Sequence, residues 1–270
     1  MSAEVKKTDV NKVAAVWDEF AQKYKLDRRT STPDAYLVDL EIKTLIHFIK
    51  NGRELLDIGC GNGYTSIKLA RKRKIEIIGI DISAEMIKYA NQLAKYEGKK
   101  LKGTAEFRVG NILDPNFVES FGQGNFDIVI TKRTLINILS WDEQKECIAR
   151  IWQLLKPKGI YIMIEATMQG YEKINSLREK FHIPRTPIRW HNVYLDEEKL
   201  IPFLKERFQI THISNFSSTY YVGSRVIQPL ILKPFGKEPQ YDSCINRFFS
   251  SLPSFGNYGI QKLFVCRKEE

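Results

Sequence analysis

The chain has only four cysteines, Cys60, Cys147, Cys244 and Cys266, and no two of them form a C-x-x-C pair. Scattered in this way they build neither a disulfide frame nor a zinc site, and they read as free thiols of a reducing compartment. No stretch approaches the ~18 uninterrupted apolar residues of a membrane helix. The opening MSAEVKKTDVNK lacks the apolar core of a signal peptide, so the expectation is a cytoplasmic protein without a membrane span. Internal repeats, low-complexity tracts and linkers are missing as well. Residues 1–270 therefore read as one domain, with N-terminal helices over 1–52, a core over 53–167, and insertions plus the last two strands over 168–270.

What the chain does have is hydrophobic residues, 43% of it, enough for a core, and an excess of cations that leaves a formal charge of +10. That charge suggests an acidic partner such as nucleic acid, yet the densest runs, Arg71 to Lys74 and Gly98 to Gly103, each follow a predicted helix and precede a predicted strand. In an open α/β sheet such turns lie opposite the ligand crevice, which sits beyond the strands' carboxyl ends. Nucleic acid is therefore not the expected partner. Apolar strands read at 53–58, 75–80, 104–109, 126–131 and 159–165, with helical patterns at 11–24, 83–96 and 141–155. A helix opened by Thr32 and Pro33 should run to about Lys50. Continuous apolar strands alternating with helices predict a parallel sheet covered on both faces. Later strands read at 208–214 and 259–267, and 168–195 and 215–258 read as irregular and aromatic.

The most informative stretch is LLDIGCGNGYTS, residues 55–66, where a strand breaks on a glycine turn and becomes helical. Gly59, Gly61 and Gly63 are spaced G-x-G-x-G, one residue tighter than the G-x-G-x-x-G of a dinucleotide site, and the Lys-Ser/Thr of a P-loop is missing. Asp57, two residues before the first glycine, would repel phosphate and suit a cation. Asp81 closes the second strand, where a carboxylate can accept both hydroxyls of a ribose. The ligand implied is a nucleoside bearing a positive group, not NAD.

Here the sequence resembles the class I S-adenosylmethionine-dependent methyltransferases. LLDIGCGNG resembles their first motif, IGIDIS with Asp81 their second, GNILD (110–114) their third, and LLKPKG (154–159) the turn before their fifth strand. The resemblance covers roughly 53–165. It implies a Rossmann-like α/β fold with a seven-stranded sheet in the order 3-2-1-4-5-7-6, the last strand antiparallel, and S-adenosyl-L-methionine as cofactor. It also implies that Gly59 and Gly61 approach the methionine part, that Asp57 acts on its ammonium, and that Asp81 holds the ribose. Ile82 and Met86 would pack on the adenine. Asn111, beside Ile112, stands where the family commonly has an aspartate near the adenine amine, and Thr131 would offer its backbone to the ammonium. Tyr24 and Arg28 would lie in a cover closing over the methionine end. Gly63 could equally serve helix packing, Ile82 the core, and Asn111 a turn.

The lip of the pocket decides the acceptor. TKRTLIN after the fourth strand holds no N-P-P-Y or D-P-P-Y, which argues against methylation of adenine's exocyclic amine and of glutamine amides in proteins, and no aspartate for a magnesium site; no metal is expected. PIRWHNVYLD (187–196) offers Arg189, Trp190, His191 and Tyr194, and FSSTYYVGSR (216–225) adds Tyr220, Tyr221 and Arg225. Stacking surface with hydroxyls and arginines suits a sugar, especially one attached to phosphate. The C-terminal half is also loosely similar to methyltransferases of cell-surface glycan pathways. The expectation is O-methylation of a sugar, glycan or related small polar acceptor, with RNA or protein methylation as the alternative. His191 or Glu165 would be the general base, although His191 reads equally as a structural histidine.

Overall fold

The computed structural model describes residues 7–269. Seven strands, β1 (Glu54–Ile58), β2 (Glu76–Asp81), β3 (Thr104–Val109), β4 (Phe126–Lys132), β5 (Leu155–Ala166), β6 (Phe208–Ser214) and β7 (Gln261–Lys268), form one sheet in the order β3-β2-β1-β4-β5-β7-β6. The first five are parallel, and β7 runs antiparallel to both β5 and β6, as expected. Successive residues of the central strands enter opposite cores. Tyr161 and Met163 join Cys147, Ile148 and Ile151 on one face, while Ile162 and Ile164 join Leu45, Leu55 and Leu69 on the other. With both faces covered, the alternation in side-chain direction carries no alternation in polarity, which is why these strands read as unbroken apolar runs.

The helices of the core follow their caps. Asp9 caps α1 (Val10–Tyr24), Ser83 caps α4 (Ala84–Glu97) and Ser140 caps α6 (Trp141–Leu154), each accepting a backbone N–H of the first turn. Gly63 precedes α3 (Tyr64–Lys72), and α5 (Phe117–Phe121) is a short turn. The second helix, α2 (Ala35–Phe48), does not open at Thr32 and Pro33. Asp34 is its cap and accepts from the Leu37 N–H at 3.1 Å. The Glu143 carboxylate in the first turn of α6 accepts from the N–H and hydroxyl of Thr8 at 3.0 and 2.6 Å.

Beyond β5 the chain is more helical than its sequence suggests: α7 (Met168–Lys180), α8 (Glu197–Lys205), α9 (Ser218–Val222), a π-helical stretch over Gly223–Ile227, α10 (Gln228–Leu232) and α11 (Cys244–Ser251). Tyr220 and Tyr221 enter a third apolar core with Leu37, Ile136 and Ile174. Ser217, Ser218, Ser224, Gln228 and Asn246 are buried beside it. Polar residues on the inward face erase the periodicity by which a helix is read.

Candidate active site

A cleft of about 800 Å³ opens at the carboxyl ends of β1, β2 and β4, lined by Gly59, Gly61, Asp81, Ile82, Met86, Asn111 and Ile112 among others. The glycine turn is held by the N–H groups of Gly59 and Cys60, which donate to the Ile80 carbonyl at 2.8 and 2.9 Å. Gly59 has φ of +73°, and a Cβ there would lie 2.2 Å from Oγ1 of Thr134. That hydroxyl donates to the Ile58 carbonyl at 2.9 Å and clamps the turn to the segment after β4. A Cβ on Gly61 would meet only the Met86 sulfur at 3.9 Å, so this glycine faces open cleft.

Each Asp81 oxygen accepts one backbone N–H, from Gly61 and from Ser83, both at 2.9 Å, which fixes the carboxylate while leaving lone pairs toward the cleft. Burial pushes its pKa up to about 6. A carboxylate fixed in this way against an open glycine fits the ribose of a nucleoside ligand. Asn111 plays both roles open to it: its side chain accepts from the Leu113 N–H at 2.9 Å, and it lines the cleft.

Two expected cofactor contacts, Asp57 and Tyr24, lie elsewhere. Strand alternation puts Ile58 in the cleft and turns Asp57 to the α3 face, where it accepts the Ser66 hydroxyl and burial raises its pKa to about 6. The Thr131 side chain is buried against the Tyr161 hydroxyl at 2.8 Å, and the lip is formed by the next three residues, Lys132, Arg133 and Thr134. Tyr24 stacks on Phe20 outside the cleft. Arg28, paired with Asp39, lines a small recess at the glycine turn together with Gly59, Gly61 and Asn62. The cover is thus divided. Val10, Val13 and Trp17 of α1 close the cleft beside Ile82 and Met86, and the 25–31 turn closes its glycine end. Asn62 latches that turn, its Nδ2 donating to the Lys25 and Asp27 carbonyls and to Thr30 Oγ1, each at 2.9 Å.

A second chamber of about 660 Å³ shares Trp17, Ser31, Arg133 and Asn137 with the cleft and continues past them to Arg189, His191 and Tyr194. Arg133 and Asn137 were not expected from the sequence. Arg133 carries a non-glycine φ of +57°, a conformation costing an L-residue roughly 1–2 kcal/mol, and the Asn137 amide holds its carbonyl at 2.7 Å. Arg133 Nε, Asn137 Oδ1 and His191 Nδ1 are buried and have no hydrogen-bond partner within the protein. All three residues line this chamber. Buried polar atoms seldom stay unsatisfied, and three of them on residues that line one space give it a polar wall. The His191 ring is held edge-on by Trp17 and Trp190 at 5.8 and 5.4 Å between centroids. Burial, then the Arg189 charge, lowers its pKa, so the imidazole is neutral at neutral pH.

Glu165 is a correction. It is fully buried and lines neither space, because its carboxylate accepts the N–H groups of Thr134, Leu135 and Ile136 at 3.0, 3.1 and 3.4 Å. It caps the turn that carries Arg133 and Asn137. Tyr220, Tyr221 and Arg225 are also displaced, because α9 and the π-helical stretch point them inward. Tyr220 donates to Asp34 at 2.5 Å, Arg225 pairs with the same carboxylate at 2.6 Å, and Tyr221 donates to Gln261, which itself lines the chamber. They support the wall. Trp190 is half exposed, with Lys12 Nζ 4.6 Å above its ring.

A glycine cradle, a strand-end carboxylate and the 3-2-1-4-5-7-6 sheet together define the S-adenosylmethionine-dependent methyltransferase architecture. The chain belongs to the methyltransferase domain family, which it matches over residues 49–204. It is 34% identical over 115 residues to ajmaline N-methyltransferase of Rauvolfia serpentina, covering 43% of this chain and 36% of that one. Over 195 residues it is 24% identical to the U6 snRNA methylphosphate capping enzyme Amus of Drosophila melanogaster, 67% of this chain and 63% of that one. The chain thus spans less than two thirds of either relative. Its fold is similar to that of magnesium protoporphyrin IX methyltransferase from Synechocystis PCC 6803, solved with bound SAH, with a TM-score of 0.58, 14% identity, and 97% and 96% of the two chains covered.

Proposed function

We propose that the protein transfers a methyl group from S-adenosylmethionine to an oxygen of a sugar or related small polar acceptor held in the second chamber, in the cytoplasm. The observation that carries this reading is the set of unpartnered atoms, Arg133 Nε, Asn137 Oδ1 and His191 Nδ1, in a chamber opening off the cleft. Asp81 would hold the ribose, Gly61 would admit the methionine part, and Met86, Ile82 and Asn111 would enclose the adenine. Bound there, the cofactor supplies an electrophilic methyl on a sulfonium, and the protein's part is positioning and proton removal. Arg133 and Asn137 would donate to and accept from the acceptor's hydroxyls. Neutral His191 would take the proton of the hydroxyl that is methylated.

RNA methylation is favoured by the likeness to Amus. Against it, the cations at the lip are partly offset: Lys132 and Arg133 share the one carboxylate of Glu41 at 3.3 and 3.2 Å, and Arg28 pairs with Asp39. The test is His191→Gln against a panel of hydroxylated acceptors with methyl-labelled S-adenosylmethionine. Wild-type protein should label a small polar acceptor, and the variant should bind cofactor equally and lose labelling. Full labelling by the variant would remove His191 as the base.

A further inference from the structure

On the far side of the chamber lies a third hollow, about 1260 Å³, between the end of α7 and the segment 224–241. Its wall carries Arg178, His182, Arg225, Lys233 and Lys237 against one carboxylate, Glu238. Arg225 is neutralised by Asp34, which leaves Arg178, Lys233 and Lys237 without an ion-pair partner among the described residues. Arg178 is the telling one. It is only 9% exposed, and its guanidinium meets no acid. It donates instead to the Pro184 carbonyl, at 2.9 Å from Nε and 2.6 Å from Nη2, and to the Arg225 carbonyl. Burial and the neighbouring Arg225 work against its charge. A buried cation without a counter-charge is costly, and a compact anion in the hollow would offset that cost.

The hollow is not remote from the chemistry. Tyr241 lines both it and the acceptor chamber, and Arg225 lies 4.9 Å over the Tyr241 ring and 5.4 Å over Tyr221. Tyr241 is thus the wall common to both spaces, and an acceptor that bridges them would pass that ring.

We infer that the hollow formed by Arg178, Lys233 and Lys237 binds a phosphate or diphosphate group carried by the methyl acceptor. The link to an acceptor rests on the proposed methyl transfer; the anion site itself does not. Three of the five N–H groups of the Arg178 guanidinium go to the Pro184 and Arg225 carbonyls, which leaves one on Nη1 and one on Nη2 for a phosphate oxygen, and the two exposed lysines add point charges.

The test is calorimetry on the full chain with inorganic pyrophosphate as the probe. Wild-type protein should bind it, and K233Q/K237Q should bind it about tenfold more weakly through loss of two charged contacts. Both positions are exposed and lie outside the core, so the variant should fold, and S-adenosylmethionine binding measured in parallel reports separately on the methyl-transfer reading. A further variant, R178K, keeps the charge and loses the fork, and should also weaken pyrophosphate binding. Phosphatidylglycerol vesicles that compete with pyrophosphate would assign the phosphate to a lipid headgroup, and failure to compete would assign it to a soluble acceptor. Absence of pyrophosphate binding, or equal binding by wild type and K233Q/K237Q, overturns the inference. So does an RNA oligomer that displaces pyrophosphate with a steep salt dependence.

Discussion

Asp81 and Glu165 both end strands at the crevice, both are buried, and both have raised pKa values, yet they do different work. Asp81 keeps lone pairs toward the cleft, whereas the oxygens of Glu165 accept three backbone N–H groups. Asp81→Ala should therefore weaken S-adenosylmethionine binding by roughly 1.5–3 kcal/mol, measured by calorimetry, as charged hydrogen bonds to the ribose are lost. Glu165→Gln should keep methyl transfer if the residue is a cap and not a base. Its signature is in stability. The Glu165 carboxyl is raised to about 7 by burial, from about 4.3 in an unfolded chain. The folded state is thus the tighter proton binder, and this contribution, complete below about pH 4.3, is lost as pH rises through 7. Thermal unfolding of the cofactor-free protein should show that decline between pH 4.5 and 7, flattened in Glu165→Gln; an unchanged slope would contradict the assignment.

At the scale of elements, the cover is assembled from two pieces that the glycine turn and α4 hold separately. Asp18 of α1 accepts the Ser83 hydroxyl at 2.5 Å, and Asn62 holds the 25–31 turn through three acceptors. Asn62→Ala leaves the glycines in place and frees that turn. Cofactor affinity should fall by about 1–2 kcal/mol, the scale of buried hydrogen bonds left unmade, with little change in the sheet's own melting. Affinity equal to wild type would show that the turn merely packs. Asn62 occupies a nominally variable position of the G-x-G-x-G spacing, and its partners lie 32 to 37 residues earlier in the chain. Nothing in the local spacing announces them.

For the whole molecule, the basic runs and the crevice lie at opposite ends of the strands. Arg71 to Lys74 adjoins the start of β1, where the Gly52 N–H donates to the Lys74 carbonyl at 2.7 Å. Arg73 has a structural task there, donating to the Ile46 and Ile49 carbonyls at 3.0 and 2.8 Å near the end of α2. Lys72→Gln with Lys74→Gln should leave turnover and its salt dependence nearly unchanged. Adding Arg73→Gln should lower stability by about 1 kcal/mol through the lost carbonyl contacts, without touching cofactor binding. A loss of turnover in the lysine pair would bring the far end into the acceptor's path and favour nucleic acid.

The strands, the glycine turn and Asp81 were legible in the sequence because each depends on a short stretch, whereas the strand order came from the resemblance to the methyltransferase family. Apolar runs set the strands, φ-positive glycines set the turn, and a strand-end carboxylate needs only its own strand to be placed. The second chamber was legible only in part. His191, Arg189 and Tyr194 do line the chamber, but Arg133, Asn137, Trp17 and Ser31 reach it from the turn after β4 and from the N-terminal segment. Tyr220 and Tyr221 looked like pocket residues and are buried supports, because a helix packed on a third core chose which way they point, while Arg225 lines the third hollow instead. By itself the sequence determined the cofactor cradle, whose geometry is local. Only the tertiary structure decided which buried polar atoms stay unpartnered on residues that line one chamber, because that depends on which segments, distant in the chain, pack around the same space.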